Sequence, residues 1–479
     1  MSASTFTIVQ PRVMLDDPHA CTDSGDVLTV FGGLFDALAR RGASGWEPNL
    51  ATGWSMSDDA RTTTFTLRAG VRFHDGEPCD AGAIRFCLER MARPDMGATL
   101  GAPGVYAQYL QGMRIDVPDP HTLVMTTAEP IADILDIVGY GHIVSPRALA
   151  DAGEDLARRS VGTGPWKLES CREGEHLLAS ASPHHLAPKS RHGELRWQAE
   201  PSAAARLDAL MSGRAHVANG LPMAGHATAG VTFHDYLAPT ALIFMFNAAA
   251  GPAADLRVRR ALNLAIDRAA LVAGVLGGAG QPLHGYISPA HDGYDPAAPE
   301  FALDRAEARR LLAEAGYADG LALNVYCPTR LPDEAPQLVD AIEAQLSGIG
   351  VSFIRHVEPD RTRYANQVRL KQIHDICVFD SSPMSAFRVL HEKVDSRVKG
   401  SWWEGYANPA VEALLDQARR TIDANARRAL RCETYRLLQQ DPPWLYVYNH
   451  RRRIGLAGSH PVYAMRFDGV LDVRTLPEL

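Results

Sequence analysis

The chain has no apolar run approaching the ~18–20 residues that cross a bilayer, no basic excess and no paired-cysteine motif. The first absence excludes a transmembrane segment. Lys and Arg total 48 against 56 Asp and Glu, a formal net charge of -8. Neutralising phosphates needs clustered cations, so no nucleic-acid partner is expected. The best basic run, "HRRRIG" (450–455), reads as a solvated strand edge or a set of surface ion pairs. The seven cysteines (21, 79, 87, 171, 327, 377 and 432) are an odd count with no C-x-x-C and no metal-like spacing. Cys87 in "IRFCLER" and Cys377 in "DICVFD" sit in apolar settings, where a thiol behaves as a small hydrophobe. So many thiols without a disulfide pattern fit a reducing compartment better than an oxidising one. The N-terminal "MSASTFTIVQPRVMLDDPHA" has neither a basic n-region nor a long apolar h-region, and "TFTIVQ" reads as a first strand. Either a signal peptide has been removed or none existed. H-E-x-x-H, a Walker A loop, G-x-G-x-x-G and G-x-S-x-G are all missing, and with them the chemistries they carry.

What is present is the material of a soluble globular protein, 46% hydrophobic and 22% charged over 479 residues. That length exceeds one ordinary core and implies two or three lobes. No internal repeat or low-complexity segment interrupts it. "WSMSDDARTTTFTLRAGVRFHDGEP" (54–78) reads as consecutive short strands, with "SDDAR" as one turn and Asp75-Gly76 as another. Asp80 stands at an N-cap position before "AGAIRFCLERM", whose Ile84, Cys87, Leu88 and Met91 share a face. The second half alternates helices and strands, which means an α/β layer with a largely buried sheet. Its pattern predicts one long helix over 256–276, a helix over 304–317 with an Asp304/Glu307 capping box, and a strand over 321–327. A helix over 337–350, a strand over 351–358 and a helix from Asn408-Pro409 follow. Another helix runs to Gln440, and "LYVYNH" (445–450) and "IGLAG" (454–458) are two closing strands.

Four short motifs have two readings each. "GTGPW" (162–166) lacks the Lys and the following helix of a phosphate loop and reads as a turn. His184-His185 could ligate a metal, but their Pro/Ser-rich setting without an acidic or thiol partner favours a solvated surface. "FHDG" (73–76) could be a His–Asp dyad; a strand end plus a turn is the preferred reading. "SWWEGY" (401–406) concentrates Trp402 and Trp403 beside a glycine and suits a ligand cleft or core packing equally. The stretch "ICVFDSSPMSAF" (376–387) ends a buried strand on Asp380, a turn residue or a charge awaiting a partner.

The run "W-x-x-S-x-D-x-x-x-x-x-F-x-L-R-x-x-V-x-F-H-D-G", matched from Trp54 to Gly76, resembles the hallmark region of the family 5 extracellular solute-binding proteins. "VGTGPWKL" (161–168), "DLRVRRALNLAIDR" (255–268), "AEARRLLAEAGY" (306–317) and "RLLQQDPPWLYVYN" (436–449) extend the resemblance in order along nearly the whole chain. That family contains the dipeptide, oligopeptide, nickel and haem receptors of ABC importers. The resemblance implies an α/β, two-lobed periplasmic-binding-protein type II (venus-flytrap) fold with an extra subdomain in the first lobe. Residues 1–33, 163–240 and 447–479 would form lobe 1, 34–162 the extra subdomain and 241–446 lobe 2, with hinge crossings near 237–247 and 442–449.

The resemblance also implies a site. In peptide-binding members an aspartate after a second-lobe strand takes the ligand's α-ammonium, and a phenylalanine lies seven residues on; Asp380 and Phe387 match that spacing. The residues between them depart from the peptide receptors' acidic, Gly-containing loop. Arg330 is offered for a ligand carboxylate, Cys21 and Thr22 for the wall of a first-lobe loop, and Trp402 and Trp403 for aromatic walls. The implied function is a monomeric receptor that clamps a small amine-bearing solute, a short peptide or amino-acid derivative, for an ABC permease. No cofactor or metal is expected. The alternative is a cytoplasmic enzyme on the same fold, with Asp380 and Cys21 as its chemical groups. An extracytoplasmic location follows from the resemblance, and a cytoplasmic one if Met1 is the native start.

Overall fold

The computed structural model describes residues 4–42, 45–97, 102–185, 192–223, 230–330, 332–458, 469–474 and 476. The chain forms two compact units, Met1–Tyr236 with Arg452–Leu479, and Leu237–Arg451.

In the first unit the apolar strand Thr5–Gln10 lies parallel to Glu194–Ala199 on one side and to Val217–Leu221 on the other. His176–Ala181 and Trp166–Arg172 continue the sheet antiparallel. Phe6, Ile8, Trp166 and Trp197 point into one core with Phe31 and Leu34 of the helix Gly25–Leu34. A four-stranded antiparallel sheet is built from Ala51–Met56, Thr62–Leu67, Thr122–Thr126 and Arg114–Asp119. Beside it Asp80 caps the helix Ala81–Met91 by accepting from the Ala83 N–H, and Ile84, Cys87, Leu88 and Met91 are buried as their spacing predicts. "GTGPW" is a close-packed turn: a Cβ on Gly162 would collide with the Leu34 carbonyl oxygen.

The second unit's sheet runs in the order Val351–Glu358, Leu321–Pro328, Ile376–Ser381, Val231–Phe246. The first three strands are parallel, and Val231–Phe246 is antiparallel to Ile376–Ser381. One face packs on the helices Leu256–Ala265, Arg268–Leu276, Arg305–Glu314 and Ala335–Leu346. The other packs on Arg361–Arg369, Ala386–Lys393, Pro409–Arg420 and Ala424–Gln440. Near-continuous apolar strands such as "ICVF" are what burial of both faces requires.

Four expectations are corrected. The long helix over 256–276 is two helices, because Ile266 is extended and Asp267 caps the second one through the Ala270 N–H. The turn lets buried Arg268 donate to the carbonyls of Asn263 and Tyr446. The capping box at Asp304 is half-formed: Asp304 accepts from the Glu307 N–H, but the Glu307 carboxylate pairs with Arg310. The two closing strands are one, Trp444–Ala457, with Arg451, Arg452 and Arg453 in its middle. His185 is not a solvated histidine; its side chain is 16% exposed and its Nε2 lies 3.9 Å from Asp36 Oδ2.

The chain passes from one unit to the other within Val231–Phe246 and returns within Trp444–Ala457. Fully buried Asn449 fastens the two strands, donating to the Thr240 carbonyl at 2.8 Å and more loosely to those of Ala238 and Pro239. Replacing it leaves buried carbonyls without that donor, so Asn449→Ala is expected to cost about 1–3 kcal/mol in urea denaturation. A parent-like midpoint would show that the clasp carries no stability.

Candidate functional site

Asp380 is the first charged residue of the strand Ile376–Ser381, whose preceding four residues are all buried. Its side chain is 31% exposed and faces Arg361 Nη2 at 3.9 Å, an ion-pair contact beyond hydrogen-bond reach. Arg361 opens the helix capped by Asp360. The Asp380 backbone carbonyl accepts from Lys393 Nζ at 3.0 Å. Both cations also lie over the Phe379 ring, at 5.5 Å for Arg361 and 5.4 Å for Lys393. The charge that ends this strand therefore stands in cationic surroundings.

The structure brings Trp402 to the same place, its ring 4.9 Å from that of Phe379. Trp403 donates its indole N–H to the Tyr406 carbonyl at 2.6 Å. Between the tryptophans and Tyr406, Glu404 turns inward: its side chain is 5% exposed and pairs with Lys371 at 3.2 Å, while Lys371 also donates to the Ser401 carbonyl. The Ala248 N–H holds the Glu404 carbonyl. Gly405 has φ of +87°, and a Cβ there would meet Ala249. "SWWEGY" is thus a loop pinned at Glu404, with both tryptophans carried just before the pin.

Phe387 is buried on the helix Ala386–Lys393, against His391. That helix starts on Ser385, which accepts from the Arg388 N–H, and carries a buried Arg388–Glu392 pair at 2.9 Å. Arg330 is exposed after the strand Leu321–Pro328. Asp380, Phe379 and Trp402 are therefore assembled directly, with Phe387 one helix away. Arg361, Lys393 and Glu404 were missed by reading residues alone. Arg361 and Lys393 belong to separate helices, and only the fold brings them to Asp380. Glu404 was inside the quoted aromatic motif, and a charge between two tryptophans and a glycine was the available signal.

Cys21 and Thr22 belong to the first unit and are half-buried. Their loop is anchored upstream, where Asp17 takes both Arg90 guanidinium nitrogens at 2.7 and 2.5 Å. His19 donates from Nε2 to the His142 carbonyl and accepts from Arg90 on Nδ1, so it is a neutral tautomer. Burial, with the Arg90 charge beside it, pushes its pKa down to about 4. His74 and Asp75 form no dyad: His74 is bonded to the Gly164 carbonyl, and Asp75 accepts from Ser145. A cavity of about 50 Å³ in the first unit is lined by Asp36, Trp46 and Arg474, among others. Its acids already have partners, since Asp36 accepts from Asn49 and Thr163. Among the described residues no group of three or more His, Cys, Asp or Glu side chains could hold a metal ion, and none of the seven cysteines is in a disulfide. No helix among them is long and apolar enough to cross a membrane.

Comparison with known proteins bears on this arrangement. The family model described as bacterial extracellular solute-binding proteins, family 5 Middle, matches residues 45–386. The chain is 26% identical over 412 residues to the glutathione-binding protein GsiB of Salmonella paratyphi A, covering 83% of this chain and 79% of the relative. It is 24% identical over 477 residues to the probable D,D-dipeptide-binding periplasmic protein DdpA of Escherichia coli, covering 95% and 90%. The periplasmic binding protein DppA of Helicobacter pylori, solved with peptide STSA, superposes with a TM-score of 0.79 at 21% identity, covering 95% of this chain and 94% of that one. The fold is that of the type II periplasmic binding proteins.

Burial raises the Glu404 pKa from its ordinary 4.5 to about 7, against the pull of Lys371. Between those values the folded protein keeps a proton that the unfolded chain has released, so stability falls as pH rises through that window. Glu404→Gln is expected to flatten this dependence when denaturation is followed from pH 4.5 to 7.5. A variant with the parental slope would place the titration elsewhere.

Proposed function

The chain belongs to the bacterial extracellular solute-binding proteins, family 5, and from that premise we propose that its solute is a short peptide or amino-acid derivative held by its ammonium group at Asp380 and delivered to an ABC-type permease. The observation that carries this reading is the state of the Asp380 carboxylate. It is only partly solvated, and its contact with Arg361 at 3.9 Å leaves its oxygens open to a donor. A partly desolvated carboxylate is costly alone and pairs well with a desolvated ammonium.

The surrounding residues divide the rest of the ligand. Trp402 beside Phe379 offers an apolar wall, and Trp403 extends the same loop. Arg330 is exposed and suits a carboxylate end, and Phe387 lines the helix that supplies Lys393. Arg361 and Lys393 bring positive charge to the same neighbourhood, which favours a zwitterionic ligand over a simple amine. The names of similar proteins support the class: one is a glutathione-binding protein, another a probable D,D-dipeptide-binding protein, and a third was solved with the peptide STSA. Peptides of all three kinds offer both an ammonium and a carboxylate. The role is binding without chemistry, delivering the solute as it was received.

Two measurements test this reading. In calorimetry with a dipeptide library, Asp380→Asn is expected to weaken the best ligand by about 2–5 kcal/mol, thirtyfold or more. An equally tight variant would remove Asp380 from the site. Native mass spectrometry of the complex should return the peptide at unchanged mass, whereas a mass change during incubation would overturn the binding-only role.

A further inference from the structure

A second cluster in the Leu237–Arg451 unit uses none of the residues assigned to the solute. Tyr326 and His356 are register partners on the parallel strands Leu321–Pro328 and Val351–Glu358, the latter at the end of the sheet order. Their rings stack with centroids 4.5 Å apart and planes 16° from parallel. His374, from the turn before Ile376–Ser381, is exposed, and its ring centroid lies 6.4 Å from that of His356.

The hydrogen bonds behind His356 decide its protonation. Buried Asp375 accepts from the Asn324 backbone N–H at 2.6 Å and from Asn324 Nδ2 at 2.9 Å. An ionised carboxylate only accepts, so the Asn324 amide is oriented with its oxygen outward. That oxygen is 2.9 Å from His356 Nε2, which must therefore carry a proton. In the neutral ring, Nδ1 is then the nitrogen with the lone pair. A chain of carboxylate, amide and imidazole thus fixes the tautomer, while the Tyr326 ring fixes the plane. Such an outer layer is what metal-ligating histidines ordinarily have.

The spacing of the two rings admits a shared ion. Imidazole nitrogens about 2 Å from one metal put their ring centroids roughly 5 Å apart at a tetrahedral angle and about 6.3 Å apart when trans, so 6.4 Å admits an ion held between near-trans nitrogens. We propose that His356 and His374 form a two-histidine site for a divalent transition-metal ion, with Asn324 and Asp375 behind it. Two imidazoles and no carboxylate select borderline ions over Mg2+ and Ca2+, and Cu2+ over Ni2+ or Zn2+. With only two protein ligands the remaining positions are open, so the ion exchanges readily and can accept a ligand of its own.

The test uses the full chain without an affinity tag, stripped with chelator and titrated with Cu2+ by calorimetry in a non-coordinating buffer. One equivalent is expected to bind, with at least a tenfold loss of affinity in His374→Ala and in His356→Ala. His121→Ala, at an exposed histidine of the other unit, should bind as the parent does. Electron paramagnetic resonance of the parent complex should show nitrogen hyperfine structure, a readout that needs no variant. No Cu2+ uptake by the parent, both variants titrating like it, or a spectrum without nitrogen coupling would each overturn the site and leave the rings as a packing stack.

Discussion

Burial of the strand Ile376–Ser381 on both faces governs what the second unit can offer a ligand. Ile376 and Val378 enter one core, and Cys377 and Phe379 the other. No polar side chain can be placed along that stretch without losing its water on whichever side it faces. The first position at which a charge is tolerable is where the strand leaves the cores, and Asp380 stands there. The same burial pushes up the pKa of the Cys377 thiol, making it a packing group and not a nucleophile. Chemistry-bearing atoms are thereby confined to the strand's end.

What surrounds that end follows from the two helical layers. Arg361 and Lys393 reach the Phe379 ring from two different helices, and each also contacts Asp380, Arg361 its carboxylate and Lys393 its carbonyl. The Glu404–Lys371 pair fixes the loop that presses Trp402 onto the same ring. An aromatic side chain thus gathers two cations and a second aromatic beside one carboxylate. Asn449 secures the strands by which the chain enters and leaves this unit.

Much of this was legible in the residues because the signals were local. Asp80 and Asn408 could be recognised as helix caps, and "ICVF" as a doubly buried strand, since each rests on adjacent atoms. The misreadings came where a distant partner decided the outcome. The 256–276 pattern is helical throughout, but Arg268 gains the buried Tyr446 carbonyl of Trp444–Ala457 as a partner if the helix breaks at Ile266. His185 had no acidic neighbour in its own loop, whereas Asp36 lies far away in sequence. Arginines 451–453 read as a break between two closing strands, yet pairing with Gly280 and Val217–Leu221 carries one strand through them. The cations facing Asp380 escaped notice for the same reason: periodicity places a residue on a face, not opposite a residue of another helix.

A structure of the protein with a bound short peptide tests amine recognition at Asp380 most directly. Recognition of this kind requires the ligand's ammonium nitrogen within about 3 Å of an Asp380 carboxylate oxygen. A peptide bound with its ammonium on another group, and Asp380 still facing only Arg361, would contradict it.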